Sequence, residues 1–74
     1  MNIITDLKRM AANNCCDISY IEDDDNRIKF LLKYTHEDFW SELLEYGRKN
    51  KIGWFTKNTF LYVYKPHKGD NRND

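Results

Sequence analysis

Long hydrophobic runs are missing from this chain: the longest stretches of aliphatic or phenylalanine side chains are three residues, as in Phe30-Leu31-Leu32, whereas a membrane span needs about 20. No integral membrane segment is expected. Asp6, Lys8 and Arg9 interrupt the stretch where a signal peptide would carry its apolar region, so a secretory signal is not expected and the cytoplasm is the default compartment. Cysteine occurs twice, as the adjacent pair Cys15-Cys16. Neighbouring residues of an extended chain point to opposite faces, which makes a structural bridge between them strained and excludes a disulfide scaffold. Glycine occurs three times, at Gly47, Gly53 and Gly69, never in the spacing of a phosphate-cradling loop, so nucleotide binding has no support. An excess of either charge is also missing, because 12 Lys and Arg balance 12 Asp and Glu. With 74 residues there is room for one small core and none for a dinucleotide fold or a barrel, and an enzyme is disfavoured on size.

Metal and catalytic motifs fail on spacing. His36-Glu37-Asp38-Phe39-Trp40 opens like the zinc-protease helix, but the second imidazole position holds Trp40, so His36 and Glu37 read as an ordinary first helical turn. Asp23-x-Asp25 opens like a calcium loop, yet Ile28 and Tyr34 stand where that loop needs Gly and Glu. Cys15, Cys16, His36 and His67 lack the spacing of a zinc site. Cys16 is expected to point into the core as a small hydrophobe. Neither a catalytic residue nor a metal, a cofactor or a small-molecule substrate is expected.

What the chain does have is aromatic side chains, eleven Phe, Tyr and Trp, and clear periodicities. Ile3, Ile4, Leu7, Met10 and Ala11 recur at helical spacing over residues 2–12, with Asn2 as N-cap and Asn13-Asn14 as the stop. Residues 16–22 and 27–34 read as strands around the turn Asp23-Asp24-Asp25-Asn26; Ile28, Phe30, Leu32 and Tyr34 fall on one face of the second strand. Thr35 with Asp38 resembles a capping box, followed by a helix bearing Phe39, Trp40, Leu43, Leu44 and Gly47 on one side and running to about Asn50. Residues 52–55 and 59–65 are β-rich, either a hairpin closed by Thr56-Lys57-Asn58 or one strand over about 58–65. The predicted fold class is α+β, in the order α-β-β-α-β(β), with an antiparallel sheet of three or four strands packed on one or two helices. One domain over 1–66 and a disordered polar tail over 67–74 complete the expectation. The expected core joins Phe39, Trp40, Leu43 and Leu44 to Ile28, Phe30 and Leu32. None of the signature residues of winged-helix, RRM or dsRBD domains is present.

Charge is segregated along the chain: residues 1–46 carry net −5 and residues 47–74 net +5. Part of this is ordinary helix electrostatics, such as Glu45 with Lys49 one turn later. The rest leaves an acidic hairpin tip and a basic, aromatic C-terminal half. In the last strand Phe60, Tyr62 and Tyr64 share one face and Leu61 and Val63 the other, so a sheet covered on one side exposes one of these rows. Two functions follow as expectations. The favoured one is a non-enzymatic protein-interaction module, such as an accessory regulator or inhibitor, that meets a protein partner or a second copy through Phe60, Tyr62 and Tyr64 and the acidic Asp23, Asp24 and Asp25. The other is nucleic-acid binding through Arg48, Lys49, Lys57, Lys65, Lys68 and Trp54, with cations on phosphates and rings on bases.

Overall fold

The structure is a computed structural model and describes residues 2–66. The expected disordered tail, 67–74, lies outside the described residues. Two helices and four strands follow in the order α1 (Ile3–Asn13), β1 (Asp17–Asp23), β2 (Arg27–Tyr34), α2 (Glu37–Asn50), β3 (Trp54–Lys57) and β4 (Phe60–Tyr64). The strands form one antiparallel sheet in the order β1-β2-β4-β3. The fold is α+β, with the element order anticipated from the sequence.

Local chemistry explains the boundaries. Asn2 caps α1 by accepting the Thr5 backbone N–H at 3.0 Å, and Asn14 closes it with its own N–H on Ala11 O at 3.1 Å. The Asp24 carboxylate ties the β1–β2 turn, accepting the backbone N–H groups of Asn26 and Arg27 at 2.8 and 2.9 Å. At α2 the capping box is not formed: the N-cap is His36, without a side-chain cap bond, and Thr35 stays outside the helix. The helix ends at Asn50 on a left-handed Lys51, φ 57°, whose N–H reaches Arg48 O at 3.4 Å while Ile52 N–H reaches Gly47 O at 2.8 Å. This is a Schellman closure with Lys where Gly is usual. The last 15 residues of the described chain do form a hairpin, but the turn is Asn58-Thr59, with Lys57 opposite Phe60 and Asn58 at φ 58°. Asn tolerates that left-handed conformation, which moves the turn two residues past the expected start at Thr56.

Both helices lie on one face of the sheet. Ile28 and Phe30 from β2, Leu61 and Val63 from β4 and Ile18 from β1 meet Ile3, Leu7, Met10 and Ala11 of α1 and Phe39 and Leu43 of α2 in one buried cluster. Each strand contributes alternate residues because successive side chains point to opposite faces. Three members of the expected core stand differently. Trp40 and Leu32 are half-buried at its border, and Leu44 is 56% exposed. The stripe buried on α2 is Phe39, Leu43 and Gly47, spaced by four; Leu44, one residue further round, opens toward solvent. The helices are joined by polar contacts too: the Tyr46 hydroxyl donates to Asp6 Oδ2 at 2.8 Å, and Asn14 Nδ2 donates to Glu42 Oε1 at 2.8 Å. Partial burial of the phenol, then its bond to Asp6, raises the Tyr46 pKa.

Candidate functional site

Among the described residues, no element lies over the sheet face turned away from the helices. Its residues follow from the alternation on each strand: Phe60, Tyr62 and Tyr64 on β4, Phe55 and Lys57 on β3, and Arg27, Lys29 and Leu31 on β2, opposite in sense to the buried Ile28, Phe30, Leu61 and Val63. The aromatic row is therefore the outward one. Leu61 and Val63 are fully buried.

Cross-strand pairing brings these residues together. Phe55 lies opposite Tyr62 and stacks on it with ring centroids 4.8 Å apart and planes within 9°; the Phe55 and Tyr64 centroids are 5.8 Å apart. The Arg27 guanidinium sits 4.7 Å from the Tyr62 ring centre and 5.8 Å from that of Phe55. The Lys29 ammonium lies 4.3 Å from the Phe60 ring centre and 5.7 Å from that of Tyr62. Cations at these distances are attracted by the negative ring faces. The result is a platform in which four aromatic rings and two long cations fix one another's position, at a low entropy cost for further contact.

The acidic hairpin borders this platform. An open recess of about 270 Å³ is lined by Glu22, Asp23, Asp24, Arg27, Lys29 and Tyr62. The three aspartates of the tip differ in what they do. Asp23 accepts the Lys65 ammonium at 2.7 Å and the Tyr20 hydroxyl, so its pKa falls below the ordinary carboxylate range, first through Lys65 and then through Tyr20. The same bond to Asp23 raises the Tyr20 phenol. Asp24 is lowered by the two backbone N–H groups of its own turn. Asp25 is exposed at the tip.

The basic residues singled out in the sequence are dispersed. Arg48 and Lys49 end α2 on the helical side, where Arg48 pairs with Glu45 at 3.8 Å; the one-turn pairing expected for Glu45 was with Lys49. Trp54 faces the helices and stacks on Trp40 at 5.5 Å. Lys65 is engaged by Asp23. Lys57 alone of that set stands on the open face, and Lys68 lies outside the described residues. Conversely, Arg27, Lys29 and Phe55 join the face although the sequence did not single them out together. The period of two on β2 and β3 was the available signal, but the pairing of β2 with β4 crosses the whole of α2 and has no local mark. Cys15 is exposed and left-handed at φ 59°, and Cys16 packs half-buried against the core with Sγ 3.4 Å from Asn14 O. Among the described residues no group of three or more His, Cys, Asp and Glu is placed to hold a metal ion, and no helix is long and apolar enough to cross a membrane. In comparisons with protein-family models, curated proteins and solved structures, nothing matches the chain.

Proposed function

We propose that this chain is a non-enzymatic protein-interaction module whose docking surface is the open face of the sheet, acting as an accessory regulator or inhibitor of the protein it binds. The observation that carries this reading is the ordered platform of Phe55, Phe60, Tyr62 and Tyr64 with Arg27 and Lys29 held over the rings. Tryptophan, tyrosine and arginine are the side chains most enriched at energetic centres of protein interfaces; tyrosine combines a large contact area with few internal rotations, and Arg27 is here already held over the rings. The acidic tip beside the platform steers a partner that carries basic groups at the matching edge.

Nucleic-acid binding is the second reading, favoured by the cations interleaved with aromatics on one sheet face. Two features weigh against it. The Phe55 and Tyr62 ring faces that would stack on bases already face each other, and Glu22 and Asp24 line the same recess as Arg27 and Lys29, where they would repel a phosphate chain.

Capture from the native cell extract separates the two. The wild-type chain should retain a polypeptide that survives nuclease treatment, binds again when both proteins are purified, and is lost with the Tyr62→Ser, Tyr64→Ser double variant while its far-ultraviolet spectrum stays native. Retention that disappears with nuclease would transfer the face to nucleic acid. Equal retention by the double variant would remove the face from the interaction altogether.

A further inference from the structure

The sheet ends on two strands, β1 and β3, whose outer sides pair with no other strand among the described residues. They are not equivalent. The β1 edge is broken by register shifts between Asp17 and Ile18 and between Tyr20 and Glu22, and it carries Asp17, Glu22 and Asp23. Irregularities and charges of this kind keep a further strand from adding. β3 pairs in unbroken register from Trp54 opposite Val63 to Lys57 opposite Phe60, and its one charged residue is Lys57. The turn at Asn58-Thr59 fixes which of its backbone groups are free. Across a two-residue turn the flanking residues exchange hydrogen bonds, and bonded pairs recur at every second residue. The Tyr64 N–H on Gly53 O at 2.9 Å keeps the same phase. Phe55 and Lys57 therefore turn their N–H and C=O groups to β4, and Trp54 and Thr56 turn theirs outward from the edge. Thr56 is exposed.

Trp54 also borders an open recess of about 580 Å³ on the helical side, between β3 and the end of α2. Its apolar lining is Leu44, Ile52 and the half-buried Trp54, with Leu44 56% exposed. The only charged side chains lining it, among the described residues, are Arg48 and Lys51. Lys51 has no ion pair among the described residues. Arg48 meets Glu45 at 3.8 Å with side chains 70% and 68% exposed, a pair that is easily exchanged for another. A free strand edge beside an apolar recess with a cationic rim matches one kind of ligand. We propose that β3 accepts an extended acidic peptide as a further strand, with an apolar side chain in the recess over Leu44 and Trp54 and neighbouring carboxylates on Arg48 and Lys51. Backbone bonds to Trp54 and Thr56 supply the pairing, and alternation sends every second peptide side chain to the helical side. The four residues of β3 limit the addition to a short segment. This edge is a second site beside the open face, and either reading can fail without the other.

Panning a display library of random octapeptides on the full chain tests this. Enriched sequences should hold an apolar residue among Asp or Glu. A synthetic peptide of the most enriched sequence, titrated into isotope-labelled protein, should shift the Trp54 and Thr56 backbone amide resonances most. An Arg48→Glu, Lys51→Glu variant should bind it about tenfold more weakly or worse. Exchanging the peptide's acids for lysines should restore binding to that variant, an outcome that damage to the fold would not produce. Thr56→Pro removes a donor that faces away from β4, so the sheet is kept while strand addition is blocked, and binding should be lost. Far-ultraviolet spectra show whether each variant is folded; should Thr56→Pro unfold, the charge exchange decides alone. The Tyr62→Ser, Tyr64→Ser variant should bind the peptide as the wild type does. No enrichment, enrichment of basic or uncharged sequences, or binding indifferent to the charge reversal would overturn the proposal. So would Trp54 and Thr56 resonances that move on dilution without peptide, since a second copy would then occupy the edge. Loss of the peptide with the tyrosine double variant alone would refute the edge and leave the open face standing.

Discussion

Gly47 offers a test in which helix propensity and packing predict opposite signs. The residue lies inside α2, where replacing glycine by alanine in an exposed helix interior stabilises by about 1 kcal/mol. Here a Cβ at position 47 would lie 2.8 Å from the Ile52 carbonyl oxygen and 3.4 Å from two atoms of the Trp54 ring. The first distance is shorter than a carbon and an oxygen tolerate, and the oxygen belongs to backbone that is held in place. Ile52 N–H is bonded to Gly47 O at 2.8 Å, and Gly53 O accepts the Tyr64 N–H at 2.9 Å. The Ile52 side chain is itself in the core. Making room means opening the helix terminus or shifting the entry to β3, and inserted atoms in packed sites cost about 1–3 kcal/mol. Because the 2.8 Å contact is with backbone rather than the end of a flexible side chain, the upper part of that range, about 2–3 kcal/mol, applies; after the propensity gain of about 1 kcal/mol is subtracted, Gly47→Ala should destabilise the protein by about 1–2 kcal/mol, a large fraction of what a domain this small has. Urea unfolding followed by far-ultraviolet dichroism, and by the fluorescence of the stacked Trp40 and Trp54, measures it. A Gly47→Ala protein as stable as the wild type or more so would refute the close approach of the helix end to Ile52.

Phe39→Ala removes a fully buried ring from the centre of the core and should cost about 3–5 kcal/mol, whereas Leu44→Ala, on the exposed flank of the same helix, should change stability by less than about 0.5 kcal/mol in a denaturant melt. Comparable losses at the two positions would mean that α2 is rotated on the sheet. Asp23 and Asp24 have folded pKa values below the ordinary carboxylate value, so the stability they contribute is complete above about pH 4 and is lost as the pH falls through their folded values. The denaturant midpoint should therefore be level near neutrality and fall in acid, less steeply in an Asp24→Ala variant that no longer has that carboxylate to protonate; parallel acid slopes would contradict the linkage.

Much of the fold was legible because its signals are local. Apolar residues at alternate positions from Arg27 to Tyr34, and at every third or fourth position from Ile3 to Ala11, leave one secondary structure each that buries them. The acidic turn between β1 and β2 was also visible, since Asp and Asn supply side-chain acceptors for their own backbone. What was not legible depends on distance. A capping box at Thr35 satisfies the pattern, yet the helix starts one residue later on His36 because the strand continues to Tyr34 and sets where the chain turns. Leu44 is apolar and at helical spacing, but a helix lying on a sheet buries a narrow stripe, and the residues four apart from Phe39 through Gly47 fill it. The composition of the open face was the least visible of all. It is created by β2 pairing with β4 across an intervening helix, and no residue in either strand announces its partner.

That long-range pairing also changes what the charge segregation means. In the linear chain the first 46 residues are net acidic and the remainder net basic, which suggests two opposed patches. In the fold, β2 comes from the acidic half and β4 from the basic half, and they lie side by side at the centre of the sheet. The cations over the aromatic rings, Arg27 and Lys29, come from the acidic half; the rings they cover, Phe55, Phe60 and Tyr62, come from the basic half. Meanwhile Arg48 and Lys49 are carried to the helical side, and Lys65 is neutralised by Asp23. Among the described residues no continuous basic track survives on the open face, so a phosphate backbone would meet isolated cations bordered by carboxylates. A protein surface of alternating charge and exposed apolar groups meets the same face with both kinds of contact satisfied, and this is the physical ground for preferring a protein partner.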